Sequence, residues 1–458
     1  MSAPASPVSA ASRHSLVALT WPLLAELVLG MAVGIAGLWL ASRVSDSASG
    51  AFALSNHVQV SFFLLFRIIS MGVSVVISQN LGAGDRASAD LAARAALAAS
   101  TWLGLGAALA LALFATPLLR VMNAPDEVLP LAAPYLRILA ISLALDAFNA
   151  SMAAVMRAHM HARDTLYNML AMHGLHLALS LPLMPVMGLA GYAVAAAVSR
   201  AFGLGLHLLL WRWRLQLVPH GADWWRLHWG RLAPVLHIGL PGAAENIAYR
   251  LALMVTIALA ASMGTHALAT HSYTMQIMYF ILVFGLAIGF ASEILVGHMV
   301  GARQLHAAHA LVRKSVRYGL LVSTGIALLA ALAGPWLMRG FTQDETIIAQ
   351  ASTLLWITVL LEPGRTFNLV VINALRATGD ARFPVVAGIA SMVFVMAGGA
   401  WLLGSVMGLG LVGVWIAYAA DEWVRGLTMC ARWWRRGWVP AARATHRRLT
   451  RQRQTLQL

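Results

Sequence analysis

The sequence predicts an all-α integral membrane protein of twelve transmembrane helices in two parallel six-helix repeats. Three observations carry this. Its residues are 60% hydrophobic and 11% charged, with a mean hydropathy of +0.74, whereas a soluble chain is about a quarter charged. Twelve stretches reach the roughly 20 apolar residues that a spanning helix requires. One offset, 219 residues, carries landmarks of the first half onto the second: Pro22 onto Pro241, Glu26 onto Glu245, Arg120 onto Arg339 and Arg157 onto Arg376.

The first stretch, roughly 16–40, contains "TWPLLAE" with Pro22 and Glu26. The second, 51–80, carries Asn56, Gln59, Phe63, Arg67, Ser70, Ser74 and Ser78 at steps of three or four, one stripe along a helix. The third, 95–120, ends at Arg120. The fourth, 131–157, holds Asp146 and Phe148-Asn149 and closes on Arg157. The fifth and sixth, 165–186 and 189–211, complete the half, with Arg200 in the sixth. The seventh, 233–263, repeats the first as "GLPGAAE". The eighth, 268–299, repeats the second with Met275, Met278, Leu282, Leu286, Gly289, Glu293 and Gly297 along the same stripe. The ninth, 316–339, ends at Arg339. The tenth, 349–376, holds Glu362, Pro363, Arg365 and Phe367-Asn368 and closes on Arg376. The last two, 384–405 and 409–431, complete the second half.

This divides the chain into a cytoplasmic N-terminal tail (1–15), a first bundle (16–211), a cytoplasmic linker (212–232), a second bundle (233–431) and a basic cytoplasmic tail (432–458). An even number of spans returns the chain to its starting side, so the repeats are parallel. Transporters with such repeats bind substrate between their halves. With the N-terminus inside, outer loops carry only Arg43, Arg120 and Arg339, and the other loop arginines fall inside. Both termini are therefore expected in the cytoplasm, with the tail as a solvated anchor touching anionic lipid. The opening "MSAPASPVSAASRHS" lacks the charged and apolar regions of a cleaved signal.

Several functions are disfavoured. The basic residues fall between apolar runs, which argues against nucleic acid. Cys430 is the only cysteine, so an internal disulfide is excluded. The pairs His159/His161 and His306/His309 lack cysteine ligands, and no metal or cofactor is expected. No phosphate-binding lysine loop is present, which argues against ATP hydrolysis within the chain.

An acid at mid-bilayer costs about 2.5–3.5 kcal/mol, yet Glu26, Asp146, Glu245, Glu293 and Glu362 lie within spans. Each must be protonated, paired or wetted. Glu362 and Arg365 share a helix face, as a local ion pair or as a titrating site. Pro363 removes a backbone donor between them and is a hinge candidate. Asn368 continues the face, and Asp146 and Asn149 repeat the spacing in the first half. The candidate substrate contacts are Asn56, Gln59, Arg67, Asn149, Met275, Met278, Arg365 and Asn368. Methionine walls accept varied apolar shapes, and small or hydroxyl residues on these stripes also serve helix packing.

The segments "ALATHSYTMQIMYFILVFGLAIGFASEILVGHMVGARQ" (267–304) and "NALRATGDARFP" (373–384), with the proline-led first helix of each half, resemble the multidrug and toxic compound extrusion (MATE) family over about residues 16–435. The resemblance implies a V-shaped, alternating-access secondary transporter, not an enzyme, in the bacterial inner membrane. It implies a monomer that exports amphipathic, often cationic small molecules in exchange for H+ or Na+, among membrane lipids. Many members carry an acid about fifteen residues after the first proline and another eight residues after the second. Here these positions are Gly37 and Tyr249. The ion-coupling candidates are therefore Glu362 first, then Glu245 and Glu293, then Glu26 and Asp146, for which Arg67, Arg137 and Arg200 are available partners. The rivals are a flippase gripping the pyrophosphate of a lipid-linked saccharide with Arg67, Arg250 and Arg365, an exporter of an endogenous metabolite, and a membrane receptor or scaffold without transport.

Overall fold

In hydrocarbon every backbone N–H and C=O needs an internal partner, which a helix supplies within itself. A computed structural model describes residues 15–457, with side chains to 454, and contains no strand among them. The predicted N-terminal tail lies outside the described residues save for its last position. In order, the long helices are α1 (Leu16–Ser42), α2 (Asp46–Gly82), α3 (Arg86–Val121), α4 (Leu129–Ala158), α5 (Ala162–Met187) and α6 (Leu189–Leu210). They continue as α7 (Trp229–Ser262), α8 (Thr265–Gly301), α9 (Leu305–Leu332), α10 (Glu345–Thr378), α11 (Arg382–Val406), α12 (Gly410–Trp434) and α13 (Val439–Gln457). Eleven of these are long and apolar enough to cross a membrane. The twelfth predicted span, α12, has comparable length but carries Asp421, Glu422 and Arg425.

Polar ends account for most boundary differences. Helix α3 starts at Arg86, nine residues ahead of its apolar stretch, because Asp85 caps it by accepting from the Ser88 N–H at 2.9 Å. The ninth stretch is split: α9 stops at Leu332, and a separate short helix, Gly334–Arg339, opens with a proline in its first turn. The linker is not free chain. A π-helical turn, Trp211–Leu215, extends α6, and Trp211, Leu215 and Leu217 are buried with Ile69, Val76 and Ile238. The basic tail is not simply solvated either, since Trp438, just before α13, and Ala442, Thr445 and Leu449 on it are buried.

The chain forms two compact units. The first comprises 25–81 and 85–243, with cores around Leu111 and Leu136 and around Val76, Leu97 and Trp211. The second comprises 244–458, 82–84 and the start of α1 up to Leu24, with cores around Val312, Val370 and Trp433 and around Leu354, Leu361 and Trp415. The divisions after Leu24 and Ala243 each fall two residues past a repeat-related proline, Pro22 in α1 and Pro241 in α7.

In the second unit α10 packs closely on α12. A Cβ on Gly426 would stand 2.5 Å from the Gly364 carbonyl oxygen, and one on Gly364 would stand 2.8 Å from the Trp423 nitrogen. Only glycine allows this approach. Helix α10 runs unbroken through Pro363, and the Trp423 indole donates to the Leu360 carbonyl at 2.8 Å. Gly379 then ends α10 in the left-handed conformation, at φ 93°.

Gly426→Ala is expected to destabilise the protein by about 1–3 kcal/mol through overpacking, read as a lower thermal midpoint in detergent. Gly106→Ala, where a Cβ meets nothing within 4 Å, should leave the midpoint unchanged or raise it.

Candidate functional site

The close contact of α10 with α12 brings five charged side chains together out of solvent. Glu362 and Arg365 project from the same face of α10, and Asp421, Glu422 and Arg425 from α12. The Arg365 guanidinium donates to Glu362 Oε1 at 2.6 Å and to Glu422 Oε1 at 3.1 Å. Arg425 donates to Asp421 Oδ2 at 2.6 Å and lies 3.3 Å from Glu422 Oε1. Asn368 Nδ2 donates to Glu422 Oε2 at 3.0 Å, and the Ser391 hydroxyl donates to Asp421 Oδ1 at 2.6 Å. The side chains of Glu362 and Asp421 are each 1% exposed. Within this network three carboxylates meet two guanidiniums.

Their neutralisation is uneven. Glu422 touches both guanidiniums and one amide, while Asp421 receives two Arg425 nitrogens and one hydroxyl. Glu362 receives a single guanidinium hydrogen bond. A cavity of about 10 Å³, room for about one water, lies against Arg365, Asp421 and Glu422. Its other walls include Tyr249, Met278, Met396 and Tyr418. Met278 Sδ accepts from Arg365 Nη2 at 3.5 Å, while Met275 is buried in the apolar core beside it. Tyr418 donates to Thr256 Oγ1 at 2.6 Å and lies 3.1 Å from His271 Nε2. Tyr249 offers its ring to Arg425 at 5.8 Å. Met396 lies on the first of two π-helical turns in α11, a distortion that recurs at functional sites.

The other acids are differently placed. Glu245 pairs with Arg376, and Glu26 pairs with Arg157 at 2.8 Å while accepting from Thr165 at 2.5 Å. These two pairs are repeat-related, so the offset in the sequence records a shared first-to-fourth-helix ion pair. The Glu26 partner is thus none of the three arginines available from sequence. Asp146 takes one of them, Arg200 on α6, at 3.5 Å. Asn149 donates to the Arg200 carbonyl at 3.1 Å and contacts His207, so it ties α4 to α6. Glu293 is buried on α8 about four turns past Met278, away from the Arg365 contact. On α2, Asn56 is exposed, Gln59 and Arg67 are half-buried, and Ser74 and Ser78 are buried. A side chain at Gly37 would strike Phe52 at 2.6 Å and the Tyr192 hydroxyl.

Sequence reasoning missed Asp421, Glu422 and Arg425. An acid with an arginine about one turn later, inside an apolar stretch, is the signal that singled out Glu362. It was equally available in the stretch 409–431.

The MatE family model matches the chain twice, over residues 22–182 and 241–401, and both ends of the second match lie 219 residues beyond the first. The chain is 34% identical over 431 residues to the uncharacterized transporter YisQ of Bacillus subtilis, covering 93% of this chain and 95% of YisQ. It is 25% identical over 428 residues to a probable multidrug resistance protein NorM of Thermotoga maritima, covering 89% of each. Among solved structures it resembles the MATE transporter VcmN of Vibrio cholerae in the bent form, with a TM-score of 0.85 and 20% identity over 96% of this chain and 99% of that one. A MOP superfamily transporter from Pyrococcus furiosus matches with a TM-score of 0.85 and 19% identity over 93% and 96%. At those identities the solved structures establish the fold.

Removing one partner from a buried ion pair costs about 3–5 kcal/mol. Arg365→Met should therefore lower unfolding stability by about that amount, and adding Glu422→Gln should recover part of it. Purely additive effects in thermal melts of the two single variants and the double would contradict the network.

Proposed function

The chain belongs to the MatE family of membrane transporters, and on that premise we propose that it is a proton-coupled antiporter exporting amphipathic, cationic small molecules across the bacterial inner membrane. The observation that carries this reading is the excess of one carboxylate over the guanidiniums in the α10–α12 network. A charge buried without compensation is unfavourable, so the excess acid holds either a proton or a cationic ligand. Glu362, with a single guanidinium hydrogen bond, is the carboxylate that takes the proton.

In this scheme a protonated Glu362 leaves the network neutral. A substrate cation competes for the same negative charge, and the proton leaves as it binds. Arg365 keeps Glu422 ionised while Glu362 changes state, and Pro363, adjacent to Glu362, serves as the hinge. A gradient of one pH unit supplies about 1.4 kcal/mol per proton, and 100 mV adds about 2.3 kcal/mol per charge moved. One or two protons therefore sustain useful export.

Three of the other acids receive structural assignments. Glu26, Asp146 and Glu245 are each matched to one arginine, so none leaves an excess charge. The family acid position at Gly37 is filled by aromatic groups, which supports coupling in the second unit. The double engagement of Arg365 by Glu362 and Glu422 argues against its gripping a pyrophosphate.

In inside-out vesicles, an imposed proton gradient should drive accumulation of a cationic dye, and Glu362→Gln should reduce that rate at least about tenfold, the equivalent of 1.4 kcal/mol. Accumulation driven by sodium alone, or full proton-driven activity in Glu362→Gln, would overturn the reading.

A further inference from the structure

Helix α13 lies outside the α10–α12 ion-pair network, and its build points to a separate ligand. Its buried positions, Ala442, Thr445 and Leu449, fall at helical spacing on one face, and Trp438 just before it is buried too. Trp438 stacks on Trp433 at 4.5 Å, at the end of α12. Thr445 Oγ1 donates to the Thr378 carbonyl at 3.1 Å, at the end of α10, and nestles where Gly379 has no side chain. Arg303, just beyond α8, donates to His446 Nε2 at 2.5 Å. Burial, and then the Arg303 guanidinium, hold the His446 imidazole below its usual pKa range, so it is neutral and accepts this bond at neutral pH. Helix α13 is thus fastened across the ends of three long helices, at the level where a bilayer places its headgroups, with Trp434 exposed beside it.

The opposite face is basic. Arg443, Arg447 and Arg451 are exposed at intervals of four residues, and no acid occurs anywhere after Glu422. An open groove of about 330 Å³ is lined by Ala444, Arg447, Arg448, Arg451 and Gln452. We propose that this groove binds the phosphodiester headgroup of an anionic glycerophospholipid such as phosphatidylglycerol. Guanidiniums match phosphate oxygens with paired hydrogen bonds. The fastened helix presents its arginines already ordered, so the headgroup meets a preformed site.

The test uses the full chain in phosphatidylcholine micelles, titrated with phosphatidylglycerol, with the thermal midpoint as readout. Phosphatidylglycerol should raise the midpoint of the native protein. The double variant Arg447→Gln, Arg451→Gln should need about thirtyfold more lipid for the same rise, taking roughly a fivefold contribution per arginine near an anionic surface. Its own midpoint in phosphatidylcholine alone is the baseline from which that rise is read. The control Arg435→Gln, Arg453→Gln, exposed positions outside the groove, should respond like the native protein. An equal loss in the control would reduce the effect to diffuse surface charge and overturn the site. So would an absent response to phosphatidylglycerol, or an equal rise with inorganic phosphate.

Discussion

A guanidinium taken out of water must be neutralised where it lies, and in the second unit that requirement ties α10 to α12. Arg365 reaches across to Glu422, and Arg425 holds Glu422 and Asp421. The reach is short because Gly364 and Gly426 let the two backbones meet. Ser391 from α11 and Asn368 from α10 satisfy the carboxylate oxygens left over. Tyr249 and Met278 bring α7 and α8 to the same point. Desolvation makes each contact strong and each missing contact expensive. The same condition makes the surplus carboxylate responsive to a proton or a cation.

The two units obey this constraint with opposite polarity. In the first, an acid on α4, Asp146, meets an arginine on α6, Arg200. In the second, the position equivalent to Asp146 is Arg365 on α10, and it meets an acid on α12, Glu422. The duplicated architecture thus keeps an ion pair between corresponding helices while exchanging its signs. The first-to-fourth-helix pairs, Glu26 with Arg157 and Glu245 with Arg376, keep both sign and position. Pairs that brace the bundle repeat, and the pairs that differ mark where the units have diverged in chemistry.

Much of this was legible in the sequence. Hydropathy located twelve helices, and one offset exposed the repeat, because both depend on local composition and spacing. The ion pair of Glu362 with Arg365 was readable because three residues along one helix fix their proximity. Partners on different helices were not readable. Nothing in linear spacing ties Glu26 to Arg157 or Arg365 to Glu422, so the braces appeared as isolated acids. The hydrophobic stretch holding α12 masked Asp421, Glu422 and Arg425. Charge runs misled in the tail, where eight arginines suggested solvated chain while Trp438, Ala442, Thr445 and Leu449 carried the signal for a docked face. Glycine roles emerged only in three dimensions, since Gly364 and Gly426 matter for what stands opposite them.

The central claim is that one carboxylate in the α10–α12 network exchanges a proton for a cation. Isothermal titration calorimetry of the purified protein with a cationic dye, repeated in buffers of different ionisation enthalpy at pH 7, counts that proton directly. The account predicts release of about one proton per dye bound, falling to near zero in Glu362→Gln. Binding with no proton released by the native protein, or with undiminished release by Glu362→Gln, would contradict it.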